Sequence, residues 1–229
     1  MMRETFDSTF FLKCLPRLIG AIPMTLHIMG LALLFGWAGG LLIAFGKLRG
    51  RWTGRLLTAM TDVIRCIPTV LLLFIVYFAL PGLLGAGTAT RSRIPFVVAA
   101  LAIEIAAVSS ELFRSAFLAI DRRQTEAARA LGFAPIQVLW RVIIPQGLRI
   151  IAPNLGSAVL AAMQATSMVY TLGIFDVLGR ARQIDSTVTN TKTFELMLGA
   201  ALIYWALALL IDGVFSLLNR YFRKRGAVD

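Results

Sequence analysis

The side chains here that could do chemistry form two groups. The first is Glu126-Ala127-Ala128, followed by Gly132 and by Val142-Ile143-Ile144-Pro145, in a charged stretch between two strongly apolar ones. Residues 125–131 read as a short helix whose small side chains, Ala127, Ala128 and Ala130, let a partner approach closely, with Glu126 and Arg129 three apart and able to pair. Gly132 ends that helix; Pro135 suits the first turn of another reaching about residue 143, and Pro145 breaks it. The chemistry is recognition of a protein surface, and a helical hairpin that merely joins two apolar stretches is the competing account. The second group lies within apolar stretches: Asp62 and Arg65, Glu104, Glu111 and Arg114, then Ser157, Gln164, Thr166 and Ser167. An ionised group at the centre of a bilayer costs about 2.5–3.5 kcal/mol on insertion scales, so Glu104, Glu111 and Arg65 are expected to face a bundle interior, water or each other. Glu104, Val108 and Glu111 are spaced four and three apart, with Arg114 three beyond, so one helical face carries two acids and a base. Glu111 and Arg114, like Asp62 and Arg65, have the spacing of intrahelical ion pairs, whereas Glu104 needs a partner from another helix, from water or from a solute. Ser157 and Gln164, with Thr166 and Ser167 after them, offer hydrogen bonds that either join helices or hold the ammonium and carboxylate of an amino acid.

The elements that must position these groups are membrane helices. Of the 229 residues, 58% are hydrophobic and 15% charged, against about 45–50% and about 25% in soluble domains. Apolar stretches at 18–45, 56–80, 94–120, 150–172 and 196–218 are each long enough for about 30 Å of hydrocarbon. They predict one all-α, polytopic domain over residues 1–229, with five transmembrane helices and the polar loop 121–149 between spans three and four. Gly20, Gly30, Gly36, Gly39, Gly40 and Gly46 predict close packing of span one, and Pro68 predicts a kink in span two. The opening residues lack a short apolar core followed by a small-residue cleavage site, so the first span is expected to be retained. Lys and Arg flank the spans asymmetrically: thirteen follow span one, fill the 121–149 loop or end the chain, and eight, including Arg3, Arg91, Arg180 and Lys192, fall on the other side. The richer side is cytoplasmic by the positive-inside rule, which predicts an external amino terminus and a cytoplasmic loop and carboxyl tail.

Several function classes are excluded or weakened. The net charge of +11 is distributed between spans, not clustered on a soluble face, so no nucleic acid is expected. Cys14 and Cys66, the only two cysteines, carry no metal-ligand or redox spacing. No Ser/His/Asp arrangement or carboxylate pair stands on a soluble scaffold; the single histidine, His27, lies in span one and reads as a packed or hydrogen-bonded residue, and no metal is expected. Gly40 to Lys47 is too widely spaced for a phosphate-binding loop and no Ser or Thr follows the lysine. The chain is expected to be no enzyme and to carry no cofactor.

Glu-Ala-Ala, three residues, Gly, nine residues, then aliphatic-x-aliphatic-Pro, here Glu126, Ala127, Ala128, Gly132, Val142, Ile144 and Pro145, resembles the cytoplasmic signature of ATP-binding-cassette importer permeases. The run from Gln124 through Arg149 resembles the polar amino-acid branch, of histidine, glutamine or cystine type. Arg65 and Pro68, Glu111 and Arg114, and Thr166-Ser167 are similar to that branch's Arg-Gly-Thr-Pro, Glu-x-x-Arg and Thr-Ser motifs, and the resemblance covers most of the chain. It implies a five-span subunit of the bacterial inner membrane that pairs with a second permease, identical or related, amid membrane lipid. It also implies two cytoplasmic ATP-binding subunits docked on the Glu126 loops, which bind and hydrolyse the ATP, and an external solute-binding protein. Departures fall at the solute: Cys66-Ile67 replaces Gly-Thr, Gln164-Ala165 replaces a frequent Lys-Asp, and Ser157, Glu104 and Val108 stand where Asn, Asn and Tyr are usual. The expected function is a permease for a polar amino acid or close derivative. A proton-coupled secondary carrier using Glu104 or Glu111 is the alternative, and it leaves the loop unexplained.

Overall fold

The computed structural model describes residues 6–83, 85, 93–189 and 191–226, with side chains as far as residue 221. Arg3 and Arg91, and the side chains of Arg223, Lys224 and Arg225, all counted in the charge asymmetry, lie outside the described residues. The described secondary structure is helical: α1 (Ser8–Ile19), α2 (Ile22–Arg49), α3 (Arg51–Cys66), α4 (Thr69–Leu83), α5 (Ile94–Ala119), α6 (Arg122–Ala130), α7 (Pro135–Val138), α8 (Ile144–Thr166), α9 (Val177–Thr187) and α10 (Thr193–Gly226). A π turn (Leu139–Ile143) joins α7 to α8, and a 3-10 turn (Ser167–Leu172) follows α8. Four stretches are long and apolar enough to cross a membrane, Ser8–Arg49, Ile94–Ala119, Pro135–Thr187 and Thr193–Tyr221; the bent pair α3 and α4 makes a fifth if it counts as one span.

The stretch predicted at 18–45 is two helices. Gly20 and Ala21 separate α1 from α2, and Pro23 falls in the first turn of α2, where its missing N–H costs nothing. α1 packs Cys14 and Leu18 against Val177 and Ala181 of α9 and Leu196 of α10. Its amino end is tied down by Asp7, which caps the helix by accepting from the Phe10 amide at 2.9 Å, donates its own amide to Glu195 at 2.9 Å and pairs with Lys192 at 3.2 Å. The Phe10 amide and the Lys192 ammonium together hold the Asp7 carboxyl below its ordinary pKa.

α2 and α5 form the spine and run parallel. A Cβ on Gly36 would stand 2.6 Å from Ile105, and one on Gly40 would stand 2.1 Å from the Ser109 hydroxyl and 3.1 Å from the Ala106 carbonyl. Those two glycines let the backbones approach. The aromatic rings of Phe45 and Phe117, 5.0 Å apart, meet at the far end.

The stretch predicted at 56–80 bends where Pro68 predicts a kink, and the bend is a full break between two helices. α3 and α4 meet at 106° across Ile67-Pro68. Proline disfavours helix for the residue before it, and Ile67 is extended (φ −81°, ψ 127°). α3 carries Arg51, Arg55, Asp62 and Arg65 on an exposed face and is amphipathic, while α4 is apolar. The 15 residues of α4 are about 22 Å long, short of a bilayer's hydrocarbon core of about 30 Å, so α3 lies at the end of the bundle that carries the 121–149 loop and makes up the depth.

Replacing Gly40 by Val is expected to lower stability by about 1–3 kcal/mol, the usual cost of forcing volume into a packed interface. Gly30→Ala, where a Cβ meets nothing within 4 Å, is expected not to lower it. Thermal unfolding of both variants in detergent checks the contrast, and equal losses would place the α2–α5 approach elsewhere.

Candidate functional site

The 121–149 loop is a projecting helical unit. Asp121 starts α6 by accepting from the Arg123 amide at 2.9 Å. The helix closes where Gly132, at φ +82°, donates to the Arg129 carbonyl (2.9 Å) and Phe133 donates to the Ala128 carbonyl (3.1 Å). That pair of bonds needs a left-handed residue between them, which explains the glycine. Gln137 accepts from the Ala134 amide at 2.9 Å and starts α7. Glu126 and Ala127 are exposed, as are Leu131 (78%), Ile136 and Trp140 (63%). An exposed acid beside three exposed large apolar side chains is a surface suited to a protein partner.

Three expectations for this loop need correcting. Ala128 is buried against its own chain, so Ala127 and Ala130 alone offer the small exposed surface. No ion pair joins Glu126 to Arg129 among the described residues; Arg129 is exposed and both side chains are left to solvent. Pro145 does not break the chain's helical course. It sits in the first turn of α8, after a π turn in which the Ile144 amide reaches the Leu139 carbonyl, five residues back. The wider turn accommodates a proline that an α-helical interior would not.

At the same end of the bundle is a buried cation that sequence reasoning assigned to a loop. The Lys47 ammonium, 2% exposed, donates to Thr61 of α3 (2.9 Å) and to Ser110 of α5 (3.0 Å), and lies 3.4 Å from a Glu111 carboxylate oxygen. Glu111 also pairs with Arg114, as their spacing predicts. Arg65 pairs with Asp62 at 3.5 Å but is 47% exposed at the end of α3, and does not enter the interior.

Deeper in the bundle, Glu104 is half-buried and accepts from the Thr69 hydroxyl of α4 at 2.7 Å. Its partner thus comes from another helix, from the first turn after the Pro68 break. Glu104 lines a cavity of about 90 Å³ between α5 and α8, with Trp37, Val108 and Ala161. The Trp37 indole N–H is buried without a hydrogen-bond partner among the described residues. Ser157 and Gln164 are exposed on α8 and do not line this cavity. Ser157 opens instead on a second cavity, with Asp212, Asn219 and Arg220. The Thr166 hydroxyl is fully buried and donates to the Met163 carbonyl, and Ser167 donates to the Gln164 carbonyl, each at 2.7 Å. Asp176, which follows the stretch predicted at 150–172, is fully buried: it caps α9 through the Gly179 amide (2.8 Å) and accepts from Tyr204 (2.6 Å).

Lys47, Thr61, Thr69 and Trp37 are the residues the sequence reading missed. Lys47 has one usable signal: no Gly-Pro turn precedes it, so span one could have been extended to Gly50. Loss of each partner should differ in cost. Glu111→Gln leaves a buried ammonium with no anion beside it and is expected to cost about 3 kcal/mol, the low end for a broken buried pair because Glu111 is partly exposed. Lys47→Met leaves Thr61 and Ser110 donating to the Thr58 and Ala107 carbonyls, and Glu111 on Arg114, at about 1 kcal/mol. Thermal unfolding of the two solubilised variants tests the order; a larger loss for Lys47→Met would overturn it.

Residues 36–224 match the family described as binding-protein-dependent transport system inner membrane component. The sequence is 30% identical over 227 residues to the L-cystine transport system permease protein TcyL of Bacillus subtilis (strain 168), covering 97% of this chain and 94% of that one. It is 30% identical over 230 residues to the glutamate/aspartate import permease protein GltK of Escherichia coli O157:H7, covering 97% and 99%. Among solved structures, a chain of an amino acid ABC transporter crystallised with histidines superposes with a TM-score of 0.80 at 30% identity, over 95% of this chain and 99% of that one. A chain of the inward-facing MetNI methionine ABC transporter shares the fold, with a TM-score of 0.72 at 19% identity, over 90% and 95%.

Proposed function

This chain belongs to the family of binding-protein-dependent transport system inner membrane components, and we propose that it forms, with a second permease subunit, the pathway by which an ATP-driven importer moves a polar amino acid or close derivative. It is the membrane-spanning permease subunit of an ABC importer and not itself an enzyme; such importers work with an ATPase, a substrate-binding protein and a second permease. The observation that carries the reading is the exposed unit between α5 and α8, with Glu126 and Ala127 beside Leu131, Ile136 and Trp140.

In this reading two cytoplasmic ATP-binding subunits each dock one loop, on Glu126, Ala127, Ala128, Gly132 and Pro145, with Ala128 and Gly132 shaping the loop and not touching the partner. All nucleotide is bound by those partners. The loop is cytoplasmic in a bacterial inner membrane, the amino terminus external and the carboxyl tail cytoplasmic, as the flanking Lys and Arg favour. Closure of the ATPases on ATP draws the two loops together, and the loops move α5 and α8, which they join. The spans then rock between outward and inward access, and hydrolysis resets them.

Glu104 is the group best placed to receive the ammonium of the solute. Its carboxylate has only a hydroxyl partner among the described residues, and it lines a cavity between α5 and α8. A cavity of about 90 Å³ holds an ammonium or a few waters, whereas sites that bury a whole small molecule run to about 300 Å³ or more. The remainder of the solute therefore lies between the two permeases, where Ser157 and Gln164 are exposed on α8. Ser167 gives its proton to the backbone and its oxygen remains as an acceptor, whereas Thr166 is fully buried and supports α8 from within the core. Glu111 and Arg65 act as a positioning pair-member and a rim charge.

The test is ATP-dependent uptake of a labelled amino-acid panel into proteoliposomes holding this chain, its ATPase and its binding protein. Glu126→Lys is expected to abolish coupling, by reversing charge on the docking face. Glu104→Gln is expected to weaken uptake of the preferred solute by about tenfold, corresponding to a charge-assisted hydrogen bond of about 1.5 kcal/mol. Uptake that proceeds without the ATPase, or is untouched by Glu126→Lys, would instead favour a gradient-driven carrier.

A further inference from the structure

The cavity on which Ser157 opens is polar and large enough to enclose a small molecule. It holds about 340 Å³ between one face of α8 and one face of α10, which supply Ser157, Asp212, Ser216, Asn219 and Arg220. The two helices are close-packed beside it, since a Cβ on Gly156 would stand 3.1 Å from Phe215. It shares no lining residue with the Glu104 cavity, which takes Ala158, Ala161, Ala162 and Ala165 from another face of α8. Sites that take whole small molecules run from about 300 to 1,000 Å³, so this cavity meets the size that the Glu104 cavity misses.

Its charges are unanswered within the chain. Asp212 falls inside the apolar stretch 196–218, and Arg220 stands just beyond its end. A carboxylate at that depth is costly unless a cation or several donors meet it. Its neighbours one turn away on α10 are Ala208, Leu209, Phe215 and Ser216, and none is basic. Among the described residues Asp212 and Arg220 form no ion pair, with each other or elsewhere, although both line this cavity. Asn219, on the same wall, keeps a buried side-chain oxygen without a hydrogen-bond partner among the described residues.

The order and spacing of the charges identify the ligand. Residues 212 and 220 are about 12 Å apart along the helix axis, and long side chains on a helix lean toward its amino end, which brings the guanidinium nearer the acid. An amino acid holds its ammonium about 3 Å from its carboxylate, and a charge-assisted bond of about 2.8 Å at either end lets it bridge an acid and a guanidinium about 9 Å apart. A phospholipid headgroup has the opposite order. Its phosphate adjoins the acyl chains and its ammonium is outermost, whereas here the acid is the deeper group and the guanidinium lies toward the surface.

We propose that this cavity is a second site for a free amino acid in its zwitterionic form, the ammonium on Asp212 and the carboxylate on Arg220, with Ser157, Ser216 and Asn219 beside them. The proposal rests on reading the chain as an amino-acid permease. It adds a station on the loop side of the Glu104 cavity, where the solute is held whole before release.

The experiment measures binding of a panel of labelled L-amino acids to the assembled transporter in nanodiscs of phosphatidylglycerol and phosphatidylcholine, without ATP or binding protein. A Glu104→Gln transporter is expected to bind a member of the panel. In that background Asp212→Asn and Arg220→Gln are each expected to weaken binding about tenfold, the loss of one charge-assisted hydrogen bond. The methyl ester of the same amino acid, which lacks the carboxylate charge, and its N-acetyl derivative, which lacks the ammonium, are expected to bind as weakly. Ser216→Cys, made with Cys14 and Cys66 replaced by Ser, leaves both charges in place; it is expected to react with a water-soluble thiol reagent and to be shielded by the amino acid. The proposal is overturned if no member of the panel binds the Glu104→Gln transporter, or if binding there survives both charge changes. An unreactive Ser216→Cys would overturn it by giving this face to the second permease, and displacement of the amino acid by added phosphatidylethanolamine would overturn it by giving the cavity to lipid. ATP-dependent uptake of the same panel tests the transport reading separately, because this binding requires no ATP.

Discussion

A buried ammonium organises the end of this molecule that carries the 121–149 loop. Lys47 is the place where α2, α3 and α5 meet, through Thr61, Ser110 and Glu111. The cost of removing a lysine from water is offset only if its donors are filled and an anion is close, and all three donors are accounted for. The consequence is geometric: α3, whose outer face is charged and whose inner face holds a single buried residue, Thr61, gains its fixed place against the spine by that polar contact more than by apolar packing.

That placement reaches the interior through the break at Ile67-Pro68. Because α3 and α4 meet at 106°, the first turn of α4 begins deep in the bundle, and Thr69 there meets Glu104. One continuous path thus runs from Glu111 and Arg114, near the loop, through Lys47 and α3 to the hydroxyl that holds Glu104. Each step is an observed contact. A displacement of α5 by the 121–149 loop would act on both ends of the path, since α5 carries both Glu111 and Glu104 while their cross-helix partners, Lys47 and Thr69, lie on α2 and α4. Relative sliding of α5 against the α3–α4 pair is the motion that would change the Glu104 environment.

What was legible in the sequence follows from the range of each interaction. Asp62–Arg65 and Glu111–Arg114 pair within one helical turn, so spacing alone revealed them. The Gly132 stop was legible for the same reason, its hydrogen bonds reaching back only to Arg129 and Phe133 only to Ala128. Lys47 was not, because its partners lie 14, 63 and 64 residues away; Asp176 was not, because Tyr204 is 28 residues on. The apolar window at 56–80 gave the place of the bend through Pro68 but not its sharpness. Averaged hydropathy does not distinguish an amphipathic helix followed by an apolar one from a single span, and the charges of α3 were averaged away against α4. Pro145 was misread because the rule that proline ends a helix assumes α geometry, and the preceding π turn removes the clash.

The candidate pathway residues do not converge within one chain, and that is informative. Glu104 and Trp37 share a cavity too small for an amino acid, Thr166 is sealed in the core, Ser157 opens on the cavity it shares with Asp212 and Arg220, and Gln164 looks outward from α8. Polar side chains left facing lipid would each carry a desolvation cost with nothing to offset it. The arrangement is economical only if the α8 face meets another polar surface or a water-filled passage. A second permease would provide both, and in the function proposed above the Glu104 cavity opens on the passage between the two subunits. In that proposed arrangement Glu104 would receive the ammonium, and the solute's remaining groups would be read where the two subunits meet.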